Sequence, residues 1–174
     1  MTTVINAQAE SSFKSSKYVQ RKPFYDFFKR LFDIVFSLVA IILLSPLILI
    51  ISIAVKATSE GPVIFAHKRV GKGGKTISIY KFRSMVVNAE ELIKEFTPEQ
   101  KAEFEKNFKL DNDPRITKIG NFLRKTSLDE LPQLFNILKG DISIIGPRPV
   151  TEAETQMYGN YRDMFLSVRP GLTG

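Results

Sequence analysis

Asp129 and Glu130 stand side by side in the stretch from Phe122 to Pro149, four residues after a basic pair, Arg124 and Lys125. Acids at the start of a helix feel the positive end of its macrodipole, which favours the ionised form. An aspartate kept ionised among cations can attack phosphorus or hold a metal. The same residues have a plainer reading. Ser127 and Glu130 fit a capping box, in which Glu130 satisfies the backbone N–H of Ser127. Pro132 complicates that register, because proline is best placed in a first helical turn; a cap at Asp129 puts Pro132 inside it. Both readings stand on these residues alone. Further along, Gly146-Pro-Arg-Pro149 holds Arg148 between two rings that stiffen the backbone, and a guanidinium so presented loses less entropy when it grips a phosphate.

The composition narrows what such a site can use. The chain has 174 residues, enough for one modest domain, with no cysteine and one histidine, His67. Thiolate sites, disulfides and multi-histidine clusters are therefore excluded, and the absence of cysteine agrees with a reducing cytoplasmic setting. A divalent ion has carboxylates and phosphate oxygens to lean on, which favours Mg2+. The formal net charge is +7, from 25 basic and 18 acidic side chains. That balance suggests an anionic partner: nucleic acid, anionic lipid or a phosphorylated substrate.

Several elements must position these groups. Residues 1–22 read as a flexible polar tail without a signal-peptide layout. Phe24, Tyr25, Phe27 and Phe28 then mix with Lys22, Lys29 and Arg30, the aromatic and cationic blend of a membrane interface. From Ile34 to Val55 the chain is almost wholly apolar and reaches the roughly 20 residues of a spanning helix. Ser45 and Pro46 interrupt it, and both flanks are basic, with Lys56, Lys68 and Arg69 following. A straight span must put one basic flank outside, whereas a helix broken at Ser45-Pro46 can dip in and return with both flanks cytoplasmic. Residues 23–58 are thus an anchor, and 59–174 the domain it carries.

In that domain Val63–Val70 and Thr76–Phe82 read as a β-hairpin around a glycine-rich turn, Gly71 to Lys75, which lacks P-loop spacing. Asn88–Phe96 has helical character. Thr97-Pro-Glu-Gln100 opens another helix, to about Phe108, with Phe104 and Phe108 on one face. Asp111-Asn-Asp-Pro-Arg115 reads as a turn. Thr151-Glu-Ala-Glu154 caps a helix through about Phe165. No aromatic–basic nucleic-acid face or helix-turn-helix pattern is present.

Thr126-Ser-Leu-Asp-Glu-Leu-Pro-Gln-Leu-Phe-Asn136, then Lys139-Gly-Asp141 and Gly146-Pro-Arg-Pro149, closely resembles the bacterial sugar transferase family, the monotopic phosphoglycosyl transferases of glycoconjugate assembly. Tyr80-Lys-Phe-Arg-Ser-Met85, the Asp113–Gly120 stretch and Arg169-Pro-Gly-Leu-Thr-Gly174 extend the likeness, which covers Arg30 to Gly174. The resemblance implies a mainly α fold with a small β-hairpin, seated in one leaflet of the bacterial inner membrane by a re-entrant helix-break-helix anchor. It implies a catalytic domain on the cytoplasmic side. The implied reaction moves a sugar 1-phosphate from a UDP-sugar to polyprenyl (undecaprenyl) phosphate and releases UMP, at the first membrane step of polysaccharide or glycoconjugate assembly.

By the same resemblance Asp129 is the nucleophile of an aspartyl-phosphosugar intermediate and Glu130 assists and holds Mg2+. Lys81, Arg83, Arg115, Arg124 and Arg148 contact substrate, and Ser45 and Pro46 break the anchor helix. Family members continue past the position of Gly174 with a Gln-Val-x-Gly-Arg stretch and further helices. A carboxyl-terminally incomplete domain is therefore expected. Two other readings remain: an inactive member of the family, or a basic membrane-anchored interaction protein without nucleic-acid binding.

Overall fold

The computed structural model describes residues 22–107, 110 and 113–174. The tail expected before Lys22, the end of the helix at Phe108 and the turn residues Asp111 and Asn112 lie outside the described residues. In chain order, helix α1 runs Pro23–Thr58, and strands β1 (Ile64–Val70) and β2 (Thr76–Phe82) pair in a two-stranded hairpin. Helices α2 (Pro98–Asn107), α3 (Lys118–Lys125) and α4 (Gln133–Lys139) follow, then β3 (Ser143–Ile145). Helices α5 (Glu152–Thr155) and α6 (Arg162–Leu166) and strand β4 (Gly171–Thr173) complete the order. The architecture is mainly helical with a small hairpin, as expected.

Helix α1 is long and apolar enough to cross a membrane, and it leaves Phe24, Phe28, Ile42, Leu43, Ile50 and Ile53 exposed. The expected break at Ser45-Pro46 is not an interruption of helix: α1 is continuous over its 36 residues with Pro46 inside it. Proline removes one N–H from the ladder, and surrounding turns can maintain helical geometry through that single loss.

The chain forms two compact units. One comprises Leu44–Phe65 and Tyr80–Pro132. Its core joins Ile51 and Val55 of α1 to Phe82 of β2 and Leu123 of α3, with Leu47, Ile48, Val63, Ile119, Leu128 and Leu131 around them. The spacing 47, 48, 51, 55 is a helical stripe, and Ile119 and Leu123 lie one turn apart on α3. Thr117 caps α3 by accepting from the N–H of Gly120 at 3.0 Å. The Thr97–Gln100 capping box is formed: Gln100 Oε1 accepts from the Thr97 N–H at 3.0 Å and Thr97 Oγ1 from the Gln100 N–H at 3.3 Å. Between Asn88 and Phe96 the helical character is one short 3-10 turn, Glu91–Glu95.

The other unit comprises residues 22–43, Ala66–Ile79 and Gln133–Gly174. Here a polar seam fastens α1. Asp33, 1% exposed, accepts from Ser143 Oγ at 2.8 Å and from the Ile144 N–H at 3.1 Å. Lys29 donates to Ser143 Oγ and to the Ile145 carbonyl. Arg30 donates to the carbonyls of Ile137 at 2.6 Å and Leu138 at 2.8 Å, among the last of α4, where a helix favours a cation. Gly140, at φ 94°, ends α4 in the left-handed conformation a helix stop favours. Strands β3 and β4 pair in parallel, Ser143 with Gly171 and Ile145 with Thr173. The turn at Lys72–Gly74 is a 3-10 turn that needs φ 73° at Gly73. Thr151 and Glu154 form the expected capping box. The helix they open is shorter than expected, because Gly159, at φ 48° and ψ −124°, divides it into α5, a 3-10 stretch and α6.

Candidate active site

The two carboxylates arise from a sharp reversal after α3. Ser127 stands at φ 57°, the one non-glycine residue with positive φ among the described residues. A left-handed residue ends a helix abruptly at a small energetic cost. A 3-10 turn, Leu128–Glu130, follows, with the Glu130 N–H donating to the Ser127 carbonyl at 3.2 Å. Leu128 and Leu131, three residues apart, both pack on the core of this unit. They pin the turn so that Asp129 is drawn inward, only 8% exposed. Pro132 separates the turn from α4.

The capping box read from Ser127 and Glu130 is not formed, and Ser127 makes no side-chain cap. Glu130 turns to Lys81 instead, Nζ to Oε1 2.6 Å, with both side chains about a third exposed. Phe82 enters the core, and the alternation of β2 sends Lys81 to the other side. The Asp129 carboxyl is pushed above its usual range chiefly by burial; Lys81 opposes that, Glu130 adds to it, and Arg124 opposes it again. Asp129 is thus a buried carboxyl with two cations at hand and a second acid beside it.

The five candidate substrate cations fare differently. Lys81 and Arg124 act electrostatically on Asp129. Arg124 is exposed at the end of α3 and donates through Nε to Ser84 Oγ at 2.8 Å. Arg83, by contrast, is buried, and its guanidinium donates to the carbonyls of Pro62 and Ser59 and to Ser59 Oγ. It fastens the turn after α1. Arg115 is also buried. Asp113 Oδ1 accepts from its N–H and its Nε, and Asp113 Oδ2 from its Nη2 at 2.6 Å. Its guanidinium lies 5.2 Å from the ring centre of Phe96 and 4.9 Å from that of Phe104. Burial raises the Asp113 carboxyl, but the hydrogen bonds from Arg115 outweigh it and hold the group below its usual range. This arrangement closes the turn that Asp113-Pro114 was expected to make, with Arg115 as its clamp. Arg148 belongs to the other unit, where its charge acts on Arg69 and Glu154.

No group of three or more histidine, aspartate or glutamate side chains gathers to hold a metal among the described residues. Asp129 and Glu130 nonetheless offer hard oxygens, and Mg2+ is commonly held by one or two carboxylates plus substrate phosphates. The donor set fits an ion that arrives with a diphosphate, not a protein cage. Two contributors went unnoticed in the sequence. One is Ser84, the partner of Arg124. The other is Gly120, where an added Cβ would lie 2.0 Å from the Ser84 carbonyl oxygen. A glycine within the first turn of a helix is the available signal for such a close approach.

Comparison with known proteins adds a family to this geometry. Residues 24–174 match the family described as bacterial sugar transferase. The chain is 53% identical over 152 residues to an undecaprenyl-phosphate galactose phosphotransferase of Salmonella typhimurium, covering 85% of this chain and 32% of that protein. It is 45% identical over 149 residues to the exopolysaccharide production protein ExoY of Rhizobium meliloti, covering 84% and 66%. It is 43% identical over 150 residues to a UDP-glucose:undecaprenyl-phosphate glucose-1-phosphate transferase of Escherichia coli, covering 84% and 30%. The chain thus spans about a third of the length of the Salmonella and Escherichia relatives.

Proposed function

The chain belongs to the bacterial sugar transferase family, and on that premise we propose that it transfers a sugar 1-phosphate from a UDP-sugar to polyprenyl phosphate. The observation that carries this reading is the buried Asp129 carboxyl with Lys81, Glu130 and Arg124 around it in one unit. The relatives named for undecaprenyl-phosphate sugar transfer support it.

Asp129 Oδ attacks the sugar-bearing phosphorus of the donor. The new Oδ–P bond forms as the bond from that phosphorus to the bridging diphosphate oxygen breaks, and UMP departs with the electron pair. A phosphate oxygen of the polyprenyl acceptor then attacks the same phosphorus and displaces Asp129, which returns as a carboxylate. Lys81 and Arg124 offset the negative charge of the diphosphate at fixed positions, and burial around Asp129 strengthens their effect. Glu130 would help to hold Mg2+, which would supply further charge neutralisation on the diphosphate.

The test is UMP release from UDP-galactose and UDP-glucose by the 174-residue chain with undecaprenyl phosphate. UMP and a lipid-linked diphosphosugar are expected with Mg2+ and neither after EDTA. No UMP from any UDP-sugar would reject the function; unchanged turnover after exhaustive chelation would remove the metal.

In this proposal the chain sits on the inner membrane with its catalytic residues in the cytoplasm. Helix α1 enters one leaflet and returns, bent at Pro46, because both of its flanks are basic. Cysteines placed at Phe28 and Thr58 in this cysteine-free chain should both resist an impermeant thiol reagent in intact spheroplasts. Pro46→Leu should shift one of them to the labelled side. Labelling of either in the parent helix means a true span.

A further inference from the structure

Arg124 is an exposed side chain whose guanidinium is nevertheless held at one edge. Its Nε donates to Ser84 Oγ at 2.8 Å, and its Nη groups make no hydrogen bond among the described residues. An exposed arginine ordinarily samples many rotamers and gives up that freedom when it is ordered. Tying Nε fixes the plane of the fork while leaving the Nη edge for two oxygens of one phosphoryl group.

Ser84 is itself fixed. It is 8% exposed, and its carbonyl accepts from the Thr117 N–H at 3.1 Å. Gly120 lets the first turn of α3 lie against that carbonyl, since a Cβ there would meet Ser84 O at 2.0 Å. The neighbouring residues Met85 and Ile116 form an antiparallel bridge. The backbone of Ser84 therefore locates the start of α3, and its hydroxyl takes hold of the arginine at the other end of the same eight-residue helix. Every group in this chain of contacts lies in the unit that contains Asp129.

We propose that Ser84 is a positioning residue, which holds the Arg124 guanidinium so that its Nη edge receives the diphosphate of the donor beside Asp129. This rests on the function proposed above. Ser84 does not touch substrate; it acts through Arg124. Without it the arginine keeps its charge but must be ordered anew by each substrate, so the loss falls on donor binding.

The test is a double-mutant cycle on the full chain, read both by kcat/KM for the UDP-sugar and by calorimetric UDP-sugar affinity in an Asp129→Asn background. Ser84→Ala is expected to lower both about tenfold, mainly through KM, with an unchanged circular-dichroism spectrum. Ser84→Thr, which keeps the hydroxyl, should restore them. In an Arg124→Met background Ser84→Ala should cost nothing more. Should the alanine variant not fold, Ser84→Cys keeps the volume with a poor acceptor and should show the same loss. Parental kinetics and affinity in a folded Ser84→Ala or Ser84→Cys chain overturn the proposal and leave the function intact. Equal losses with and without the Arg124 side chain also overturn it, because they mark a purely structural serine. A parental chain that neither binds nor turns over any UDP-sugar removes the function and this inference together.

Discussion

Asp129→Asn is expected to abolish UMP release, to below about one part in a thousand, a loss of roughly 4 kcal/mol in transition-state stabilisation. Given UDP-sugar without acceptor, the parent should retain phosphosugar on Asp129, located by mass spectrometry after rapid quenching, and the variant should carry none. The change should not cost stability. Burial raises the Asp129 carboxyl, so the folded state binds that proton more tightly than the unfolded chain. Stability from this group therefore falls as pH rises from the ordinary carboxylate range through the raised value, and stays lower above it. Asparagine removes the penalty, so the variant should be at least as stable as the parent at neutral pH in urea denaturation. The advantage should vanish in acid, where both carry an uncharged side chain. A variant that still turns over near the parental rate would exclude Asp129 as nucleophile.

Lys81→Met should have the next largest effect. Lys81 is the strongest charge opposing the upward push on Asp129, and it pairs with Glu130 at 2.6 Å. Removing it should raise the Asp129 carboxyl further. The acid limb of the kcat/KM profile should then move to higher pH, with turnover at neutral pH down about a hundredfold, as when one electrostatic partner of a transition state is lost. Stability should change by less than about 1 kcal/mol, since a pair this exposed contributes little. An unmoved acid limb with near-parental turnover would assign Lys81 to the surface.

The two carboxylates invite confusion with a helix cap because a capping box and an acid paired with a distant lysine share the same letters. Thr97–Gln100 and Thr151–Glu154 follow that pattern and do form caps. At Ser127–Glu130 the same pattern fails, because Ser127 adopts a left-handed backbone and Glu130 finds Lys81. The choice turns on a residue 49 positions away, which no local pattern can register.

By itself the sequence determined the long apolar segment, the hairpin with its glycine turn, the two working caps and the family. Each depends on neighbours a few positions apart or on side-chain period, so each is written locally. Tertiary structure decided which partners the arginines take. Arg83, Arg115 and Arg124 look alike as letters, yet the first meets the Ser59 and Pro62 carbonyls, the second Asp113 and two phenyl rings, and the third is held at one edge by Ser84. It also decided the parallel pairing of β3 with β4 and the burial of Asp33 against Ser143. These are contacts between distant segments. A guanidinium or carboxylate goes wherever folding leaves a partner of opposite need, and that partner's place is set by the packing of the whole unit.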